Sequence, residues 1–147
     1  MNSCFASIAP VVCTLSQLVS HRGRSDLPET IFSQTEALHL QVTIEFSRSG
    51  AIALMPLGLP LQVEFLAESL GNRDSAGATA GRFLIGTSRL HTAAHQMIYT
   101  AAIEVQPQHA GFAAEQVYEV SALLRVGASH QPAWIVGTIG GLLTQTY

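Results

Sequence analysis

Apolar side chains occupy alternate positions from Leu38 to Phe46, with His39, Gln41, Thr43 and Glu45 between them. A period of two puts the two sets on opposite faces of a strand, so Leu38, Leu40, Val42, Ile44 and Phe46 should face a core. The same alternation recurs in "LQVEFLAESL" (61–70), "HQMIYTAAIEV" (95–105) and "VYEVSALLRV" (117–126). "RFLIGTS" (82–88) reads as a shorter strand. "AWIVGTIGGLLTQTY" (133–147) reads as the last one, and its glycines Gly137, Gly140 and Gly141 predict a bulge or a close backbone approach. The apolar run "AIALM" (51–55) is cut by Pro56. Because proline cannot donate to a ladder, Pro56 and Pro60 put this region at an edge or crossover. "SRSG" (47–50), "GNRDSAGATAG" (71–81), "QPQHAG" (106–111) and "GASHQP" (127–132) carry turn and loop chemistry.

Short alternating runs joined by turns, with no helical stripe after residue 35, predict an all-β domain. The expected architecture is a two-sheet antiparallel sandwich of about seven strands over residues 36–147. A jelly roll or a partly open barrel meets the same pattern. Tyr118, near the start of "YEVSALLRV", and the Gly-rich strand after it resemble the penultimate and last strands of the immunoglobulin-like or fibronectin-type-III-like sandwich. The resemblance covers residues 36–147. It departs from that pattern in having no cysteine pair across the sheets and in placing Trp134 in the last strand. It implies a superfold and no activity.

Residues 1–35 are expected to stand apart from the sandwich. "SHRGRSDLPET" (20–30) reads as a polar linker and residues 1–19 as a tail or short docking segment. The uncharged start and Pro10 argue against a secretory signal, with an export signal kept as the alternative. The segment is too short and too polar to span a bilayer.

Composition sharpens the picture. Hydrophobic residues make up 48% of the chain and charged residues 12%, against a usual charged share of about 25%. Neutral polar residues must cover the surface, or a partner must cover part of it. The net charge is −3, lysine is absent and the seven arginines are scattered. No basic stripe is available for nucleic acid or an anionic membrane, so neither is an expected partner. Without lysine there is no Schiff-base lysine, no P-loop lysine and no Ser–Lys dyad. Cys4 and Cys13 make no disulfide framework and read as thiols in a reducing cytoplasm.

Candidate chemistry is sparse. "HTAAH" spaces His91 and His95 four apart, which would put two imidazoles on one face of a helix or strand and offer two metal ligands, with His109 and His130 in loops that could approach. Thr92 stands where the zinc-hydrolase helix motif needs glutamate. Glu64 and Glu68 should lie roughly 13 Å apart on one strand face, wider than the roughly 5–9.5 Å of a glycosidase pair. The only aspartates are Asp26 and Asp74, too few for a calcium loop or a convincing triad. "GTSRL" (86–90) lacks the glycine of a nucleophile elbow after Ser88. No cofactor is expected.

What remains is apolar surface on the strand faces turned away from the core. Leu66, Leu70, Leu123, Ile139 and Leu143 are the expected contact residues of a non-enzymatic module that binds itself or another protein. A carrier of small lipophilic ligands is the first alternative, with Phe65, Met97, Tyr99 and Trp134 lining a gap between the sheets. A metal-binding domain or metalloenzyme using His91 and His95 is the second.

Overall fold

The computed structural model describes residues 10–23, 28–70, 81–127 and 132–147. In it the alternating run folds as strand β3 (Leu38–Ser47). Its apolar set, Leu38, Leu40, Val42, Ile44 and Phe46, is at most 1% exposed. β3 is the centre of a three-stranded antiparallel sheet, between β1 (Val12–Arg22) and β6 (Ile98–Val105).

The second sheet has five strands in the order β2 (Ile31–Phe32), β8 (Ile135–Thr146), β7 (Val117–Val126), β4 (Pro60–Ser69) and β5 (Phe83–His91). Leu61, Val63, Phe65 and Ala67 of β4 and Tyr118, Val120, Ala122, Leu124 and Val126 of β7 are buried, so the two sheets share one core in a sandwich-like arrangement. At one flank β5 approaches β6 so closely that a Cβ on Gly86 would sit 3.0 Å from Ile103 Cδ1. Any side chain at residue 86 would therefore have to displace Ile103.

The purely antiparallel expectation is corrected at one edge. β2 runs parallel to β8, pairing Ile31 with Gln145 and Phe32 with Thr146, so the larger sheet is mixed. The two-residue strand is held by side-chain burial. Phe32 packs edge-on to Phe112, and Phe112 joins Tyr118 and Phe83 at centroid distances of 4.7 and 5.5 Å. Such edge-to-face pairs add about 0.5–1.5 kcal/mol each beyond area burial. The buried Tyr118 phenol is satisfied locally, its oxygen accepting the Ala113 N–H at 2.7 Å.

Two further corrections concern element boundaries. Residues 12–22 and 31–32, expected as tail and linker, are strands β1 and β2. β1 hides its periodicity: Cys13 and Leu15 face the core opposite Phe46 and Ile44, then the register shifts between Ser16 and Val19, where Gln17 takes φ 52°. The inward position after the shift is Ser20, a polar residue that donates its hydroxyl to the Glu29 carbonyl. The join to β3 is pinned by Arg22, which donates to Glu36 at 3.0 Å through Nη2. That hydrogen bond holds the Glu36 carboxyl below its usual range.

The run "AIALM" lies at a crossover, one of the two places that Pro56 and Pro60 allow it. It falls in helix α1 (Ser49–Leu54) and the 3-10 turn Met55–Leu57, which carry the chain from one sheet to the other. Ala51 and Met55 are buried while Ile52 and Leu57 are exposed, a helical split too short to show as a period. A second short helix, α2 (Pro107–Ala110), joins β6 to β7.

Candidate contact surface

The outer face of the larger sheet carries the residues of interest, and its rows follow from strand register. Across β5, β4, β7 and β8 one row reads Arg89, Gln62, Arg125, Val136. The next reads Thr87, Glu64, Leu123, Thr138, and the third Leu84, Leu66, Ser121. The fourth reads Glu68, Glu119, Leu143, with Arg82 Nη2 3.8 Å from Glu68 at its β5 end. Leu84, Val136 and Leu143 are each more than half exposed, and Leu66 and Leu123 are half-buried between polar neighbours. Among the described residues, neither Arg89 nor Arg125 has an ion-pair partner.

A hollow of about 250 Å³ opens near the middle of this face, lined by Leu66, Arg82, Glu119, Ser121, Leu123 and Thr138 among others. β8 carries a bulge beside it. Ala122 pairs with Ile139 and Val120 with Leu142, so Ser121 stands opposite both Gly140 and Gly141. Gly141 has φ 85°, a conformation that costs other residues about 1–2 kcal/mol. Its N–H is accepted by Glu119 Oε1 at 3.1 Å, so the unpaired backbone donor of the bulge is satisfied by a carboxylate on the same face.

The bulge decides which expected contact residues share the surface. Leu66, Leu123 and Leu143 lie on it. Leu70 follows the end of β4, about half exposed, and donates its N–H to the Val117 carbonyl at 2.9 Å. Ile139 does not belong with them: it pairs with buried Ala122 and packs against the core, although it also lines the hollow. A strict period of two puts Ile139 and Leu143 on one face, and the extra residue at the bulge reverses the phase between them. Leu84 and Val136 complete the patch. Alternation in 82–88 and 133–147 marks both as outward once β4 and β7 are paired.

The other candidates do not converge. His91 ends β5 and His95 sits in the following turn with φ 66°, both exposed, so no common element presents them to one ion. Thr92 between them is buried and accepts the Leu59 N–H at 2.7 Å, a structural role. His109 is in α2 and His130 lies outside the described residues. Among the described residues, no group of three or more His, Cys, Asp or Glu side chains is gathered as for a metal.

For the carrier reading, Phe65 is fully buried and Tyr99 is 4% exposed, its hydroxyl donating to the Gln96 carbonyl at 2.7 Å. Trp134 is 58% exposed, which corrects the expectation that it lines a gap between the sheets. It precedes β8, whose inward positions begin with Ile135 opposite Val126. Cys13 packs against the core, and burial pushes its thiol up to about 11. Cys4 lies outside the described residues. No helix among the described residues is long and apolar enough to cross a membrane.

No protein-family model matches the chain, and no curated protein matches it. Among solved structures, a β-glucosidase from Listeria innocua overlaps 94% of this chain at 10% identity and a TM-score of 0.48. This chain spans 16% of that enzyme's length. The major subunit of aggregative adherence fimbriae type I from Escherichia coli overlaps 99% of this chain and 100% of its own, at 8% identity and a TM-score of 0.41. A β-glucosidase from Kluyveromyces marxianus in complex with glucose overlaps 95% of this chain and 15% of its own, at 12% identity and a TM-score of 0.40. Overlap this loose assigns neither a family nor an activity.

Proposed function

We propose that the protein is a non-enzymatic contact module of immunoglobulin-like type, working through the outer face of its larger sheet. One observation carries the reading: Leu84, Leu66, Leu123, Val136 and Leu143 spread apolar surface across four strands around a hollow, with Arg89 and Arg125 in the row at one end, Glu68 and Glu119 in the row at the other, and Glu64 beside Leu123 between them. An exposed sheet face of this kind on a chain with only 12% charged residues is more stable covered than bare. The Tyr118 hydroxyl bound to backbone upstream of its own strand supports the immunoglobulin-like assignment. The scattered arginines speak for a protein partner over nucleic acid or a membrane surface.

Light scattering of purified protein, with binding of a hydrophobic dye, tests the reading. The native protein should either self-associate or bind the dye, and a Leu66→Asp/Leu123→Asp double variant should lose both while keeping its β circular dichroism. A folded native monomer that binds no dye would remove the proposal.

A further inference from the structure

Apart from the contact face, we infer that His21, His39 and Glu104 make a binding site for a divalent cation of the zinc or copper type on the outer face of the smaller sheet. Strand register brings the three together. His21 of β1 stands directly opposite His39 of β3, and His39 stands directly opposite Glu104 of β6. Directly opposed residues have Cβ atoms about 4.5–5.5 Å apart, close enough for two imidazoles to converge on one ion. The row owes its existence to the irregularity in β1. Cys13 and Leu15 face the core, so unbroken alternation would turn His21 inward with them. The register shift between Ser16 and Val19, with Gln17 at φ 52°, turns His21 outward to join His39.

The side chains of the row are short of partners. His21 Nδ1 is buried and has no hydrogen-bond partner. His39 Nε2 lies 3.9 Å from Glu104 Oε1, too far for a hydrogen bond. A tetrahedral zinc ion with ligands at about 2.0–2.2 Å holds neighbouring donor atoms about 3.4 Å apart. Closing the gap by about 0.5 Å would therefore seat both on one ion. The Glu104 side chain is 63% exposed and has room for that movement. The row is open in the free chain and is not a closed cage. Glu104 borders a hollow of about 460 Å³ with Thr35, Ala37 and Gln106, where water can complete the coordination. The next row, Val19, Gln41 and Ala102, carries no charge to repel a cation. Two imidazoles and one carboxylate suit zinc or copper(II) over calcium and magnesium, which take oxygen ligands. Bound there, the ion ties the edge strand β1 to β3 and β6 through their side chains.

Isothermal titration calorimetry of the full chain, without a polyhistidine tag, reads zinc binding directly. The native protein should take up one ion per chain. His21→Asn and His39→Asn should each weaken uptake about tenfold or more, and Glu104→Gln by a similar factor, with β circular dichroism kept in all three. Zinc should raise the urea midpoint of the native protein, because it binds the folded chain, and leave that of His39→Asn unmoved. His91→Asn/His95→Asn should bind zinc as the native chain does.

No heat of binding with zinc up to about 1 mM overturns the site, and so does uptake that survives both His21→Asn and His39→Asn. Uptake lost in His91→Asn/His95→Asn instead moves the metal to the end of β5 and overturns it too. Unchanged affinity in Glu104→Gln overturns the three-ligand row. None of these outcomes bears on the outer face of the larger sheet.

Discussion

Replacing Ile44 by Asp tests the period of two on which the two-layer architecture rests. Ile44 is 0% exposed on β3, opposite Leu15 and Tyr99. Losing its burial removes about 1.5–3 kcal/mol. The new carboxyl has no partner there and will stay neutral in the folded state. Drawing a proton from water at pH 7 to a group that ionises near 3.9 when unfolded costs about 4 kcal/mol. Burying the neutral carboxyl with unmatched hydrogen bonds adds about 1–3 kcal/mol. The sum, about 7–10 kcal/mol, equals or exceeds the whole stability of many domains.

The sign with pH follows. A carboxyl whose folded pKa is raised leaves stability highest below pH 4 and progressively lower as pH rises, because only the unfolded chain ionises. Ile44→Asn, which cannot titrate, should lack that dependence. Thr43→Asp, one residue away on the outer face, should cost less than about 1 kcal/mol. Urea titration followed by far-ultraviolet circular dichroism at pH 4.5 and 7.5 reads all three. Equal tolerance, or equal loss, at residues 43 and 44 would refute the assignment of faces.

Two further outcomes follow from local geometry. Arg48 takes φ 78° and ψ 167° before α1, a region open essentially to glycine alone. Arg48→Gly should therefore stabilise by about 1 kcal/mol, strain relief exceeding the entropy gained by the unfolded chain, as a higher urea midpoint at unchanged slope; a lower midpoint would show that the arginine is held there favourably. Burial raises the Cys13 thiol from 9.0 to about 11, so its stabilising effect is complete below pH 9 and is lost as pH rises through 11. Alkylation of Cys13 at pH 8, read by peptide mass spectrometry, should be at least about tenfold slower in native than in urea-unfolded protein, and equal rates would place the thiol on the surface.

The sequence announces strands wherever one face meets the core without interruption, as β3, β4 and β7 do. It is silent where the phase breaks. β1 loses its alternation at Gln17 and β8 reverses phase at Gly140 and Gly141, so β1 passes for a tail and Ile139 for a surface residue. Glycines flagged the second break, but nothing short of the partner strand tells which residue is extra. β2 is two residues long and owes its place to Phe32 in an aromatic cluster assembled from distant segments. The contact face was half legible: outward leucines could be counted, whereas the charge rows at its ends appear only when β5, β4, β7 and β8 are set in register.

The order in which the chain visits the two layers constrains its synthesis. It enters the small sheet, touches the large one at β2, returns for β3, leaves for β4 and β5, comes back for β6 and leaves again for β7 and β8. β3 must wait for β6 and β4 must wait for β7, so each layer is unfinished while the other is being made. A nascent chain that stops short of β7 holds oily ribbons with open hydrogen-bonding edges and nowhere to put them. Cooperative closure comes only once β7 and β8 have emerged, and until then a chaperone or the ribosome itself must keep those edges apart.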